Sequence, residues 1–254
     1  MTFFGYNFSI PLIRSALDRV TARKCLGWGT ISAQIQGGTG LEIGGPTEIF
    51  KKNRLIPIYP IVKRIDHCNF SENTVWGSTA GGSADAKGWV EGKQFVSEGD
   101  SLPEIGDSEY DFVAASHVLE HIANPLMALH EWKRIVRPGG VLLVIVPDRE
   151  GTFDHRRPVT TMEHILRDYE EAVTEEDTTH LGEILRLHDL KLDPGAGSYE
   201  EFRARSLRNS GNRCLHHHVF DAELLREMFA GMEMQVVHQG WEPPWHILFM
   251  SRKA

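Results

Sequence analysis

From Leu41 onward the apolar residues gather into short runs separated by turns and amphipathic stretches: Leu41-Glu42-Ile43, Ile61 to Asp66, Gln94 to Ser97, Tyr110 to Ala115 and Val141 to Val146. Runs this short, joined by segments long enough for crossovers, predict parallel strands with helices on both faces of a sheet. Asn124 to Val136 carries Leu126, Leu129, Trp132, Ile135 and Val136 at helical spacing and stops at Arg137-Pro138-Gly139-Gly140, which predicts an amphipathic helix. A second helix is expected from about Ala222 to Ala230, with Asp221 as its N-cap. The runs Met232 to His238 and Trp245 to Met250, joined at Glu242-Pro243-Pro244, complete the sheet as an antiparallel pair at one edge.

Two segments depart from this alternation. Residues 1–38 form an N-terminal extension in which Ile10, Leu12, Ile13, Leu17 and Val20 have helical spacing before the Gly37-Gly38 break. Residues 149–219 are polar and rich in His, Arg, Asp and Glu, with helical pieces near Thr160 to Val173 and Thr179 to Asp189. An insertion of this length in an α/β domain is expected to act as a lid or substrate-binding element. The remainder, 39–254, reads as one α/β domain.

Composition narrows the partners. A chain of 254 residues, 41% hydrophobic and 24% charged, has enough apolar material for one substantial core, and its net charge of −8 argues against a broad nucleic-acid surface. Arg203, Arg205, Arg208 and Arg213 form a modest basic cluster, read as a solvated helix face. Cys25, Cys68 and Cys214 show no C-x-x-C spacing, so neither a disulfide framework nor a cysteine zinc site is expected. No apolar run approaches a membrane span and the aromatic start lacks a basic flank. The expectation is a cytoplasmic monomer or homodimer that contacts neither membrane nor nucleic acid.

Candidate chemistry lies where the strands end. Leu41-Glu42-Ile43-Gly44-Gly45-Pro46 places two glycines after a strand, and Asp66 is expected to end the next strand roughly 20 residues later, where a ribose diol is held in open parallel sheets. The turn lacks the G-x-G-x-x-G spacing that a pyrophosphate needs, and Pro46 has no N–H to donate. Gly37, Gly38 and Gly40 precede the strand and cannot form that turn.

With Glu98-Gly99-Asp100-Ser101-Leu102-Pro103, Tyr110-Asp111-Phe112-Val113, Ser116-His117-Val118-Leu119-Glu120-His121-Ile122 and Arg134 to Gly140 following in order, the chain from Leu41 to Asp148 resembles the class I methyltransferases dependent on S-adenosylmethionine (SAM), in the branch with a V-L-E-H motif (methyltransferase type 11-like). The resemblance implies a Rossmann-like α/β fold with a mostly parallel seven-stranded sheet, helices on both faces and an antiparallel last strand. It further implies SAM as cofactor, with Gly44 and Gly45 against its methionine part, Asp66 on the ribose hydroxyls and Asp100 on the adenine amino group. Ser116 and His117 would face cofactor and acceptor, and Glu42 and Ser101 belong to the same cofactor loops. The family's usual second and third glycines are Pro46 and Glu48 here.

For a hydroxyl or amine acceptor a general base is needed near the cofactor. His155, in Phe153-Asp154-His155-Arg156-Arg157-Pro158 after the fifth strand, is the first choice, with Asp154 as partner or rival and His117 next. The ordinary alternative for His155 is a solvated loop residue beside two arginines. His216-His217-His218 suggests metal binding, with His180, His188 and Asp189 upstream, but this segment is not part of an H-x-x-x-H or H-E-x-x-H helix, and no metal is expected. Trp241, Trp245, Tyr169 and Phe153 are candidates for stacking on a sugar or heteroaromatic ring, or for core packing. The leading expectation is O-methylation of a small hydroxylated molecule or glycan. An NAD(P)-dependent oxidoreductase and a SAM-fold binding module without turnover stay open as alternatives.

Overall fold

The computed structural model describes residues 23–74 and 92–254, together with the backbone of Thr2–Phe3, Tyr6–Asn7 and Gly77–Ser78. The helix expected over 10–20 lies outside the described residues. The main sheet has seven strands: β1 Thr39–Ile43, β2 Arg64–Asn69, β3 Gln94–Val96, β4 Tyr110–Ser116, β5 Val136–Pro147, β6 Met234–Glu242 and β7 His246–Lys253, in the order β6-β7-β5-β4-β1-β2-β3. β1 to β5 run parallel, while β7 is antiparallel to both β5 and β6. This is the Rossmann-like sheet expected from the sequence.

Period-two alternation sorts the strands' side chains into two cores. Val113, Ala115, Leu142, Val144, Ile247 and Phe249 face α2 (Pro125–Ile135) and α7 (Ala222–Gly231), where Leu129, Trp132 and Phe229 are fully buried. Phe112, Ala114, Leu143, Ile145, Leu248 and Met250 face the other way, onto Ile31 and Ile35 of α1 (Trp28–Ile35) and onto Ile56, Ile58 and Tyr59. Each fully buried aliphatic side chain contributes about 1.5–3 kcal/mol, so both faces hold the strand ends firmly.

Local signals act as the sequence suggests. Asn124 caps α2 by accepting from Met127 N at 3.0 Å, Pro125 occupies the first turn, and Asp221 caps α7 through Leu224 N at 2.8 Å. The insertion contains α3 (Met162–Glu170), α4 (Leu181–Leu187), α5 (Tyr199–Ser206) and the single turn α6 (Asn209–Asn212) around a small core of Ile184, Ala196, Phe202 and Leu215. Among the described residues no helix is long and apolar enough to cross a membrane.

One strand is displaced from its expected position. β2 pairs with β1 from Arg64 to Cys68 and runs on to Asn69 rather than covering 61 to 66. Ile61 and Val62 pack against the core from the preceding turn, and the polar residues Asp66 and His67 take their places in the ladder because their side chains find buried partners. Asp66 therefore lies mid-strand.

Candidate active site at the C-terminal edge of the sheet

The register brings the ends of β1 to β5 into one row: Ile43 stands opposite Cys68 and Ala115, Asn69 opposite Val96, and Ser116 opposite Ile145. Loops leaving this row carry Gly44, Gly45, Asp100 and Ser101, and Ser116 ends β4, while Asp66 and Glu42 lie within their strands. After β1 the chain turns at Gly44 (φ 76°), where a Cβ would come within 2.3 Å of Val118, so the loops after β1 and β4 touch. A Cβ on Gly45 would meet the Glu42 carboxyl at 2.1 Å.

Glu42 points into the protein. Its fully buried carboxylate accepts from Thr47 N at 3.0 Å, Thr47 Oγ1 at 2.8 Å and the Tyr59 hydroxyl at 2.8 Å, with His67 Nδ1 at 3.2 Å. Three donors on one carboxylate clamp the glycine turn from below. Burial, with the Glu42 charge next, pushes the Tyr59 hydroxyl well above its ordinary pKa.

Asp66 is likewise committed to the protein. It is fully buried, with Oδ2 accepting from the Tyr110 hydroxyl (2.8 Å) and Arg64 (3.0 Å) and Oδ1 from Lys93 N (2.8 Å). This corrects the expectation that Asp66 ends the strand. The side chain at the end of β2 is Asn69, whose Nδ2 donates to Gly45 O at 2.6 Å.

Asp100, past β3, behaves differently. It is half-buried, and among the described residues no side chain hydrogen-bonds its carboxylate. Burial first, then the charges of Glu175 and Glu98, raise its pKa to about 6. Ser101 N closes a turn onto Glu98 O at 3.2 Å, and Ser97 Oγ donates to Ser101 O at 2.6 Å. The insertion reaches this corner through Arg213, which donates to Glu98 at 2.6 Å and lies 5.1 Å from the centre of the Phe70 ring. The cluster read as a solvated helix face thus supplies a contact at the sheet edge, and nothing in the spacing of the arginines signals it.

At the end of β4, Ser116 is buried and His117 adopts φ 55°. His117 Nε2 lies 2.8 Å from His246 Nδ1, and its Nδ1 lies 3.5 Å from Glu120 Oε1. Burial, and then the neighbouring His117, lower the His246 pKa to about 3. Glu120 is fully buried; burial raises its pKa, but His117, His121 and His216 outweigh that and hold it below the ordinary value.

The loop after β5 separates the two base candidates it supplies. Asp154 is buried against Arg157 (3.0 Å) and His216 Nδ1 (2.5 Å), and Arg157 also donates to Glu183 and to the carbonyls of His216 and His217. Both Asp154 oxygens are occupied, which removes it as a base. His155 stays partly exposed, with Nε2 3.0 Å from Asp189 Oδ2. The hydrogen bond from His155, opposed by burial and aided by Lys191 N and Arg156, holds Asp189 below its ordinary pKa. The sequence reading missed Asp189 as the partner of His155 because 34 residues separate them.

A mostly parallel seven-stranded sheet with a reversed β7 and a glycine turn after β1 is the architecture of a Rossmann-like methyltransferase. The chain belongs to the methyltransferase-domain family, whose sequence profile matches residues 21–239, and its cofactor is SAM. No curated protein matches the sequence. Among solved structures it is similar to the CurJ carbon methyltransferase over 86% of this chain, at 13% identity and TM-score 0.48; the chain spans 49% of that protein. It is similar to a SAM-dependent methyltransferase from Aquifex aeolicus over 96% of this chain and 99% of that one (15% identity, TM-score 0.49). The N-methyltransferase NodS from Bradyrhizobium japonicum WM9, in complex with S-adenosylhomocysteine, matches over 97% and 89% (15% identity, TM-score 0.46).

Proposed function

We propose that this methyltransferase transfers the methyl group of SAM to an oxygen of a small hydroxylated molecule or glycan, with His155 as general base and Asp189 as the carboxylate that orients it. The observation that carries this reading is the His155–Asp189 contact at 3.0 Å in the loop leaving β5. A hydroxyl must lose its proton as it attacks, and an imidazole backed by a carboxylate serves that purpose near neutral pH. Of the three candidates, Asp154 is sealed in, and His117 has both ring nitrogens facing His246 and Glu120. Only the His155 side chain, 34% exposed, combines access with an orienting partner.

The residues at the edge suit SAM on one specific point: Asp100 is a carboxylate without a side-chain partner, half-buried where an adenine amino group is expected to donate. Gly44 and Gly45 would border the methionine part and Ser101 and Ser116 the adjoining loops, whereas Asp66 and Glu42 support the site from beneath. SAM supplies a methyl group activated by its sulfonium. The chain's task is then to align the acceptor and exclude water, for which insertion 149–219 is the assigned lid, bridging to the cofactor edge through Arg213 and Glu98. The free cysteines Cys25, Cys68 and Cys214 agree with a reducing cytoplasm.

The test is methyl transfer from labelled SAM to a panel of hydroxylated and amine acceptors, comparing wild type with His155→Gln and Asp189→Asn. His155→Gln is expected to lower kcat by at least about 100-fold with little change in SAM affinity. Asp189→Asn should lower it less, because the imidazole keeps its place but loses its carboxylate. Full activity in His155→Gln overturns the assignment of the base, and turnover confined to amines overturns that of the acceptor.

A further inference from the structure

The insertion holds a second cluster of titratable groups that the methyl-transfer site does not use. His164 and Asp168 occupy adjacent turns of α3, His180 immediately precedes α4, and His218 lies on the segment returning to the sheet. One donor atom from each of these four residues lies within 4.8 Å of all the others. His164 Nε2 is 3.1 Å from His180 Nε2 and 3.2 Å from Asp168 Oδ2, and His218 Nε2 is 3.5 Å from the same Asp168 oxygen.

These distances have a chemical meaning. Four ligands at about 2.0–2.1 Å around a tetrahedral ion stand about 3.3–3.4 Å from one another; the His164–His180 and His164–Asp168 separations of 3.1 and 3.2 Å come close to that value, and His218, whose Nε2 is committed to Ala123 O, would ligate through Nδ1. The three imidazoles crowd together, with ring centroids 4.7, 5.0 and 5.9 Å apart. Asp168 Oδ2 and His218 Nδ1 are buried and make no hydrogen bond, which is costly unless something else meets them.

We propose that His164, Asp168, His180 and His218 form a closed, four-ligand site for a divalent transition ion of the zinc class. Three imidazoles and one carboxylate suit such an ion, and four protein ligands leave no open position for substrate, so the site is structural. It would pin α3, the approach to α4 and the 216–219 segment together. It also abuts the chain between β4 and α2: His218 Nε2 contacts Ala123 O at 3.0 Å, and Asn124 Nδ2 donates to the Asp168 carbonyl at 2.9 Å. Such outer contacts orient metal ligands. A rival trio, Glu120, His121 and His216, offers one ligand fewer, and His216 already spends Nδ1 on Asp154 and His121 its Nδ1 on Leu215 O.

The helical pair in this cluster is His164 with Asp168, not the paired histidines by which a metal-binding helix is read from sequence. The inference does not depend on the methyl acceptor or on the base.

The test uses the full chain with any affinity tag removed, after growth with added zinc. Elemental analysis should find stoichiometric zinc, and Co2+ added after chelation should give the intense visible bands of a four-coordinate ion. His180→Gln and Asp168→Asn should both reduce bound metal to background, and His121→Gln should retain it. The proposal is overturned if wild type holds no stoichiometric zinc and Co2+ gives no such bands, or if His121→Gln loses the metal while His180→Gln keeps it. The Co2+ spectrum of wild type decides the question even if a variant fails to fold.

Discussion

Two aspartates within reach of the cofactor edge have opposite duties, and their hydrogen bonds tell them apart. Asp66 accepts from Tyr110, Arg64 and Lys93 N while fully buried, whereas Asp100 has no side-chain partner. Asp66→Ala leaves the buried Tyr110 hydroxyl unmet, at about 1–3 kcal/mol, so urea denaturation should show a clear loss of stability; an unchanged midpoint would contradict this role. The glycine turn makes a comparable demand. Gly45→Ala drives a methyl group into a Glu42 carboxyl that Thr47 and Tyr59 hold in place, and a stability loss of about 1–3 kcal/mol is expected by the same assay. That turn therefore tolerates Pro46 and Glu48 in place of glycines, but has no space at position 45.

At the scale of elements, a buried guanidinium ties the start of the insertion to its α4 and to its returning segment. Arg157, 1% exposed, joins Asp154, Glu183 and the carbonyls of His216 and His217. Arg157→Met removes one of the two partners of Asp154, leaving His216 Nδ1, and leaves the carbonyls of His216 and His217 unmet, at about 1–3 kcal/mol for each such group. Hydrogen exchange should rise across 149–219 before it rises in β4 and β5; uniform protection would show that the insertion does not depend on this residue. The sheet was legible because Val113 and Ala115 alternate with Phe112 and Ala114, and α2 because its apolar stripe ends at Pro-Gly-Gly. β2 misled because apolar Ile61 and Val62 pack from a turn while Asp66 and His67 are buried in the strand. In the insertion, α5 buries only Phe202 and Ser206, too little for a periodic signal, though the Ser198–Glu201 capping box was present in the sequence. His155 with Asp189, and His180 and His218 with the helical pair His164–Asp168, are brought together only by tertiary folding, so their residue types could be read but not their grouping.

For the molecule as a whole, the buried histidines shape how stability varies with pH. The folded pKa of His246 is about 3, below the ordinary 6.5 of the unfolded chain. Above pH 6.5 neither state binds the proton; between about 3 and 6.5 the unfolded chain does and the folded one does not. Wild type should therefore lose stability relative to His246→Gln as the pH falls through that window, by up to about 1.4 kcal/mol per pH unit. Denaturation of both proteins at several pH values reads this difference, and a constant gap would contradict it. The central claim is that the C-terminal edge of this sheet holds SAM, with Asp100 as the carboxylate that accepts from it. Calorimetric titration of S-adenosylhomocysteine into wild type and Asp100→Ala tests that claim most directly. Micromolar binding to wild type, weakened by about tenfold or more in a variant of unchanged thermal stability, is the predicted result; no binding to wild type, or equal binding to both, would contradict it.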